Sequence, residues 1–339
     1  IFRTYGQAHG FSEPYFKVLS QGQTKLSAGD EFHSRLLSYF GRVIYGWDDR
    51  FLLTATIRRD GSSRFTPNNR WGNFPSVAVA WKLHNENFLQ SVPMISELKI
   101  RASYGELGNQ EIKDYLFQSV INSYAAYPFN NTYHAGASQF VFVSDKIKWE
   151  TKKATNLGID IGLLNNSIRF TAEYYYNKTE DILLAVPIPA TFGTYDFQSP
   201  TINAGTMVNK GFEFNLGYNK SQGEFTYSVG ANLSTLKNEV LALGYDDTPV
   251  YGTISRTVVG GSYGDFYGFF IDGIFQTAGE IQALNDASPI HQYQEITTSP
   301  GDIKFEDING RDAENKLTGR PDGFVNDDDR TYLGRAIPN

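Results

Sequence analysis

The chain has 339 residues, with 30 lysines and arginines against 37 acidic residues, a formal net charge of -7 and no cysteine. The missing cysteine excludes a disulfide framework, a zinc–thiolate site and a thiol nucleophile, and the acidic balance argues against nucleic acid as the main partner. No stretch approaches the roughly 20 unbroken apolar residues of a transmembrane helix, which excludes a helical membrane protein but not a membrane barrel, whose strands alternate and never raise a hydropathy window.

Residues 1–33 scatter Gly, Ser and Gln among aromatics and read as a strand remnant and a long loop. From Ser34 the pattern sharpens, and strands are predicted at 34–46, 50–58, 75–83, 98–105, 149–162, 167–176, 207–219 and 224–236. The alternation is close to strict in several of them. Leu98, Ile100, Ala102 and Tyr104 oppose Lys99, Arg101 and Ser103; Ile168, Phe170, Ala172, Tyr174 and Tyr176 oppose Arg169, Thr171, Glu173 and Tyr175. Phe225, Tyr227, Val229, Ala231 and Leu233 likewise oppose Thr226, Ser228, Gly230, Asn232 and Ser234. These strands exceed the common globular length of about 5–6 residues and match the roughly 9–11 that a tilted strand needs to cross a bilayer.

The connections alternate between short (Trp47 to Asp49, Leu163 to Asn166, Lys220 to Gly223) and long (59–74, 106–148, 177–206, 237 onward), with a medium link at 84–97. Outer-membrane barrels carry tight periplasmic turns on one rim and extended extracellular loops on the other. A soluble sandwich shares the period of two but has no reason to gather its long loops at one end. Within the medium link, His84 to Leu89 is predicted to form one helical turn. A charge facing the bilayer midplane costs about 2–4 kcal/mol, so the faces with Lys99, Arg101, Asp160, Arg169, Glu173 and Glu213 belong to the lumen and the apolar faces to lipid. Tyr39, Phe40, Trp47, Phe51, Trp81, Tyr174, Tyr218 and Phe225 lie near strand ends, where interfacial aromatic girdles sit. The fold expected is all-β: an antiparallel transmembrane β-barrel, of which residues 1–339 are one portion. Ile1 is not an initiator methionine and Asn339 follows no closing strand, so the chain reads as an internal piece of something longer.

Catalytic constellations are sparse. Histidines 9, 33, 84, 134 and 291 read as isolated, and no H-E-x-x-H, G-x-S-x-G, P-loop or G-x-G-x-x-G occurs; no enzymatic activity and no catalytic cofactor are expected. The loop 106–148 carries Tyr124, Tyr127, Phe129, Tyr133 and Phe140 among Asn130, Asn131 and Gly136, which serves either as a stacking platform for sugars or peptides or as the loop's own packing. Residues 300–330 hold nine acids and five bases, a net of -4. Asp307, Asn309 and Asp329 there are candidate ligands of a structural calcium ion, the other reading being an acidic loop stabilised by Asx turns. The sequons at Asn130, Asn165, Asn177 and Asn232 carry no meaning in a bacterial outer membrane.

The densest stretch is Arg58 to Trp81, RRDGSSRFTPNNRWGNFPSVAVAW. It resembles the barrel of SusC/RagA-type TonB-dependent transporters, the outer-membrane nutrient importers of Bacteroidetes. The similarity continues through Leu98 to Gly105 with Gly108-Asn109-Gln110, Lys148 to Thr151 with Gly158-Ile159-Asp160, Tyr174 to Leu184, Asn203-Ala204-Gly205, Asn209 to Glu213, Gly268 to Gln276, Pro300-Gly301-Asp302 and Asp328 to Gly334. The resemblance implies a barrel of roughly 22 strands, a plug and TonB box outside this chain, TonB-supplied energy, and a SusD-like surface lipoprotein as a lid over the long loops. It implies import of glycans or peptides through the outer membrane, the alternative being a passive porin or structural barrel. The expected entry vestibule includes Arg64, Arg70 and Trp71 near the rim and loops 106–148 and 177–206. The alternative for the arginines of 58–71 is a structural network paired with Asp60 and neighbouring loops.

Overall fold

A computed structural model describes residues 2–10, 18–19, 23–31, 33–119, 121–139, 142–186, 200–222, 225–244 and 246–337. The strands are β1 (Phe2–His9), β2 (Thr24–Glu31), β3 (Leu36–Trp47), β4 (Phe51–Ser62), β5 (Trp71–Lys82), β6 (Ile95–Asn109), β7 (Ile121–Phe129), β8 (Thr132–Gln139), β9 (Glu150–Leu163), β10 (Ile168–Ala185), β11 (Thr201–Gln222), β12 (Phe225–Ser234) and β13 (Lys237–Leu243). The short β14 (Val250–Tyr251), β15 (Ser255–Thr257), β16 (Asp265–Gly268) and β17 (Ile271–Ile274) follow, then α1 (Ala278–Ala287), β18 (Ile303–Phe305) and β19 (Thr331–Gly334). The main sheet has nine strands in the order β12-β11-β10-β9-β6-β5-β4-β3, with β13 on β11. The pairings are antiparallel along β3 to β6 and from β11 to β12 and β13.

The chain divides into two compact units, Ile1–Ser91, Lys99–Thr155 and Thr179–Asn203 in the first and Val92–Leu98, Asn156–Lys178 and Ala204–Asn339 in the second. In the first unit the register sorts the side chains. Trp47, Phe51, Trp81 and Ile100 form one row, and Tyr45, Leu53, Val79 and Ala102 the next. These large apolar groups are exposed, Val43 at 63% and Val79 at 48%, which for a face this extensive calls for a covering apolar phase. Trp47, Phe51 and Trp81 stack in series with ring centroids 5.8 Å apart. At the far end of the same face Tyr39 stacks on Trp71 at 6.1 Å and Arg59 lies 5.2 Å over the Trp71 ring. Phe51 and Arg59 are separated by roughly 26 Å of strand at about 3.3 Å per residue, close to the band of about 25 Å that a barrel shows to lipid. The opposite face carries Ala80 beside Arg101, Lys82 beside Lys99, and Arg42 bonded to Thr56 at 3.1 Å. Phe40 belongs to this polar face, since it pairs with Arg58; it is not part of the girdle.

In the second unit the apolar row runs through Phe170, Phe214 and Phe212 with centroids 6.4 and 6.1 Å apart, and on to Leu233, Ala231 and Val229 of β12 by register. The polar row holds Thr171, which donates to Asp160 at 3.1 Å. β12 and β13 pair with successive parts of β11, interrupted at Thr235. Gly211 faces this break. A Cβ there would collide with the Thr235 carbonyl oxygen and stand 2.7 Å from the Tyr175 hydroxyl, which itself donates to that oxygen at 2.8 Å.

Several expectations need correction. Strands run further into the long connections than the pattern showed: the predicted loop 59–74 shrinks to 63–70, because Arg59 to Gly61 pair with Trp71 to Asn73 despite their polar, glycine-rich sequence. Residues 1–33 contain the paired strands β1 and β2. The region from 237 onward is structured by β13 to β19 and α1. The predicted helical turn is a 3-10 turn at Leu83–Asn85. His33 is not isolated, since its Nε2 lies 2.8 Å from Glu31 Oε1. Two sequons are tight turns: Asn130 and Asn131 between β7 and β8, and Asn165 and Asn166 between β9 and β10, all have positive φ, which Asn tolerates well.

Candidate functional site

The Arg58–Trp81 stretch gives its arginines different jobs. Arg58 Nε donates to Asp60 at 2.8 Å, and Asp60 is buried. Arg64 Nε donates to Asp114 at 2.9 Å and its Nη1 to the Gln110 carbonyl at 3.1 Å, clasping residues 110–114. Arg70 uses its backbone carbonyl, which accepts from the Ser62 N–H at 3.1 Å and the Trp149 indole N–H at 3.0 Å, while its Nε is buried without a partner. Trp71 shares the face of Tyr39 and Arg59 and so stands apart from Arg64. Pairing with Asp60 and Asp114 agrees with the structural reading of this loop.

Beneath these groups Phe65, Phe74, Ile147 and Trp149 are buried together, with Ile112, Leu116 and Leu183 packed around them. Phe65 and Phe74 lie 5.1 and 5.4 Å from Trp149. Asn69 Nδ2 donates to the carbonyls of Asp145 and Ile147. Glycine is required on the approach to this cluster, because a Cβ at Gly72 or Gly108 would enter the Phe74 ring. Sequence reasoning did not pair Arg64 with Gln110 and Asp114 or join Ile147 and Trp149 to this core, although Gln110 and Trp149 lie in the motifs noted above.

Within the same 106–148 connection β7 and β8 form a separate antiparallel hairpin closed at Asn130 and Asn131. Tyr127, Phe129 and Tyr133 are 70%, 68% and 79% exposed. Tyr127 pairs with His134 and Phe129 with Thr132, while Tyr133 faces Pro128. Phe129 meets His134 edge-on at 6.4 Å. Tyr124 lies in β7, but its side chain, like Phe140 and residues 187–199 of the other vestibule loop, falls outside the described residues.

In the acidic region the carboxylates accept from backbone amides. Asp329 is fully buried. Its Oδ1 accepts from the N–H groups of Ile308 and Asn309 at 2.8 and 2.9 Å, and its Oδ2 from Asn326 at 2.8 Å. Asp307 accepts from the N–H groups of Asp322 and Gly323, and Asn309 Oδ1 from Gly310 and Gly319. Burial pushes the Asp307 carboxyl above the usual carboxylate range, with Asp329 and Asp322 adding to the push. The side-chain oxygens of all three residues thus accept from backbone amides, the kind of bond that stabilises an acidic loop. Among the described residues no group of three or more His, Asp or Glu is gathered for a metal.

The family described as TonB dependent receptor-like, beta-barrel matches residues 3–302. TonB-dependent receptor SusC of Bacteroides thetaiotaomicron is 41% identical over 222 residues, 64% of this chain and 22% of that protein. TonB-dependent receptor P3 of Formosa agariphila is 34% identical over 313 residues, 87% of this chain and 30% of its own length. In fold, the RagAB peptide importer in its closed-closed state superposes with a TM-score of 0.71 at 24% identity, over 98% of this chain and 35% of that one. The chain thus spans about a third or less of the relatives it matches. The strands are those of an outer-membrane β-barrel, and the chain belongs to the TonB-dependent receptor-like β-barrel family.

Proposed function

We propose that this chain forms part of the barrel of an importer that brings oligomeric nutrients, glycans or peptides, across the outer membrane. In this reading TonB supplies the energy, a SusD-like lipoprotein covers the long loops, and the substrate is carried without chemical change. The names of the similar proteins, SusC and the RagAB peptide importer, support it. The observation that carries it is the β7–β8 hairpin, which holds Tyr127, Phe129 and Tyr133 out in solvent in the connection whose residues 110–114 are clasped by Arg64. Exposed rings cost solvation unless a ligand covers them, and flat rings suit sugar faces and peptide backbone alike.

The test is uptake of labelled oligosaccharide and oligopeptide by cells carrying the full-length protein with Tyr127, Phe129 and Tyr133 replaced together by alanine. Uptake of one substrate class should fall about tenfold or more while the barrel keeps its heat-modifiable gel mobility. Undiminished uptake of both would take the hairpin out of the substrate path.

A further inference from the structure

The second unit contains a cavity of about 530 Å³ bounded by residues of β13, β15, β16 and β19 and the 258–262 loop. That volume lies within the usual range for small-molecule sites. Two of its wall residues, Arg256 and Asp265, are direct cross-strand partners in the β15–β16 ladder, so their side chains leave the same face. Opposite charges in that relation ordinarily close an ion pair, but these two are held apart. Asp265 is 7% exposed, its Oδ2 accepts from the Ser262 N–H at 3.1 Å, and its Oδ1 has no hydrogen-bond partner. The Arg256 guanidinium lies 4.4 Å over the Tyr267 ring instead.

Of the other charges on the wall, Arg335 has interactions of its own. Lys237 faces Glu239 at 3.8 Å, and the Ser262 hydroxyl donates to the Asn238 carbonyl. What is left over is one carboxylate oxygen without a donor and one guanidinium stacked on a ring, on paired residues of one ladder. A buried carboxylate is matched most strongly by a charged donor, and a guanidinium by a carboxylate. A ligand with only one sign of charge answers half of this arrangement. Val258, Val259 and Phe266 supply the apolar part of the wall.

We propose that this cavity binds a free α-amino acid with an apolar side chain. Its ammonium group bonds Asp265 Oδ1, its carboxylate meets Arg256, and its side chain lies against Val258, Val259 and Phe266. The proposal concerns binding alone and stands whether or not the chain serves nutrient import.

The experiment is isothermal titration of the full-length, detergent-purified protein with L-leucine, N-acetyl-leucine and leucinamide. Leucine should bind saturably, and each blocked compound roughly tenfold or more weakly, because each lacks one of the two charges. Arg256→Gln should weaken leucine by a similar factor and leave leucinamide unchanged. Absence of saturable leucine binding, or equal binding of all three compounds, overturns the proposal. The ligand series is run on the unaltered protein, so it decides the matter even if a variant fails to fold.

Discussion

The indole N–H of Trp149 donates to the backbone carbonyl of Arg70 at 3.0 Å, across 79 residues of sequence. It joins the approach to β9 to the residue preceding β5, directly over the buried rings of Phe65 and Phe74. Trp149→Phe should keep most of the packing and cost about 1 kcal/mol, the net worth of one hydrogen bond. Trp149→Ala should cost about 3–5 kcal/mol, the range for deleting a buried aromatic. Denaturant unfolding of the purified protein measures both, and equal losses would mean that the hydrogen bond, not the packing, holds the junction.

Gly211 sits where the Thr235 break presses on β11. Because backbone rather than a flexible side chain stands in the way, Gly211→Ala should destabilise by about 1–3 kcal/mol. Gly217 has open space around its Cβ position, so Gly217→Ala serves as the control and should leave stability nearly unchanged. Similar losses for both, by the same unfolding measurement, would refute the steric account.

Asp329 anchors three backbone N–H groups from full burial. Asp329→Ala should therefore cost roughly 3 kcal/mol or more, since buried donors lose their acceptor. The melting temperature of the unaltered protein should be the same in calcium and in chelator. A rise in calcium that Asp329→Ala abolishes would restore the cation reading.

The raised folded-state value of Asp307 gives a pH dependence with a defined sign. Burial favours its protonated form, so the stabilising contribution is fully present below the ordinary carboxylate value of about 3.9. It is lost as pH rises through the raised folded value. Relative to Asp307→Asn, the wild type should gain stability as pH falls from 7 toward 4, measured by thermal melts. A relative loss on acidification would contradict the assignment.

The barrel wall was legible in the sequence because lipid on one side and a polar interior on the other impose a strict period of two. Ile100 and Lys99 announce their faces by chemistry alone. The strand extensions were not legible, because Asp60, Gly61 and Ser62 have poor strand propensity and are held by pairing with β3 and β5. For the same reason Phe40 was misplaced: its ring suits a girdle, but register against Arg58 sets its face. Within the candidate site, the arginine-rich loop and the aromatic hairpin stood out by composition. Asp114 and Gln110, the partners of Arg64, are distant in sequence, and although Gln110 falls in the Gly108-Asn109-Gln110 motif, nothing there announces its pairing. The carboxylates of 300–330 look like cation ligands in sequence, and only the fold shows their oxygens turned to backbone amides.

The central claim is that the row through Leu53, Val77 and Val79 faces lipid and the row through Thr54, Ala78 and Ser103 faces an aqueous interior. These 339 residues contain no cysteine, so each substitution adds one thiol at a known place, and labelling is read against the unaltered full-length protein. In outer-membrane preparations of the full-length protein, Val77→Cys and Val79→Cys should react with a lipid-soluble maleimide and resist a charged, water-soluble one. Ala78→Cys and Ser103→Cys should react with the water-soluble reagent. Water-soluble labelling of Val77→Cys and Val79→Cys, with Ala78→Cys and Ser103→Cys protected, would contradict the membrane-wall account.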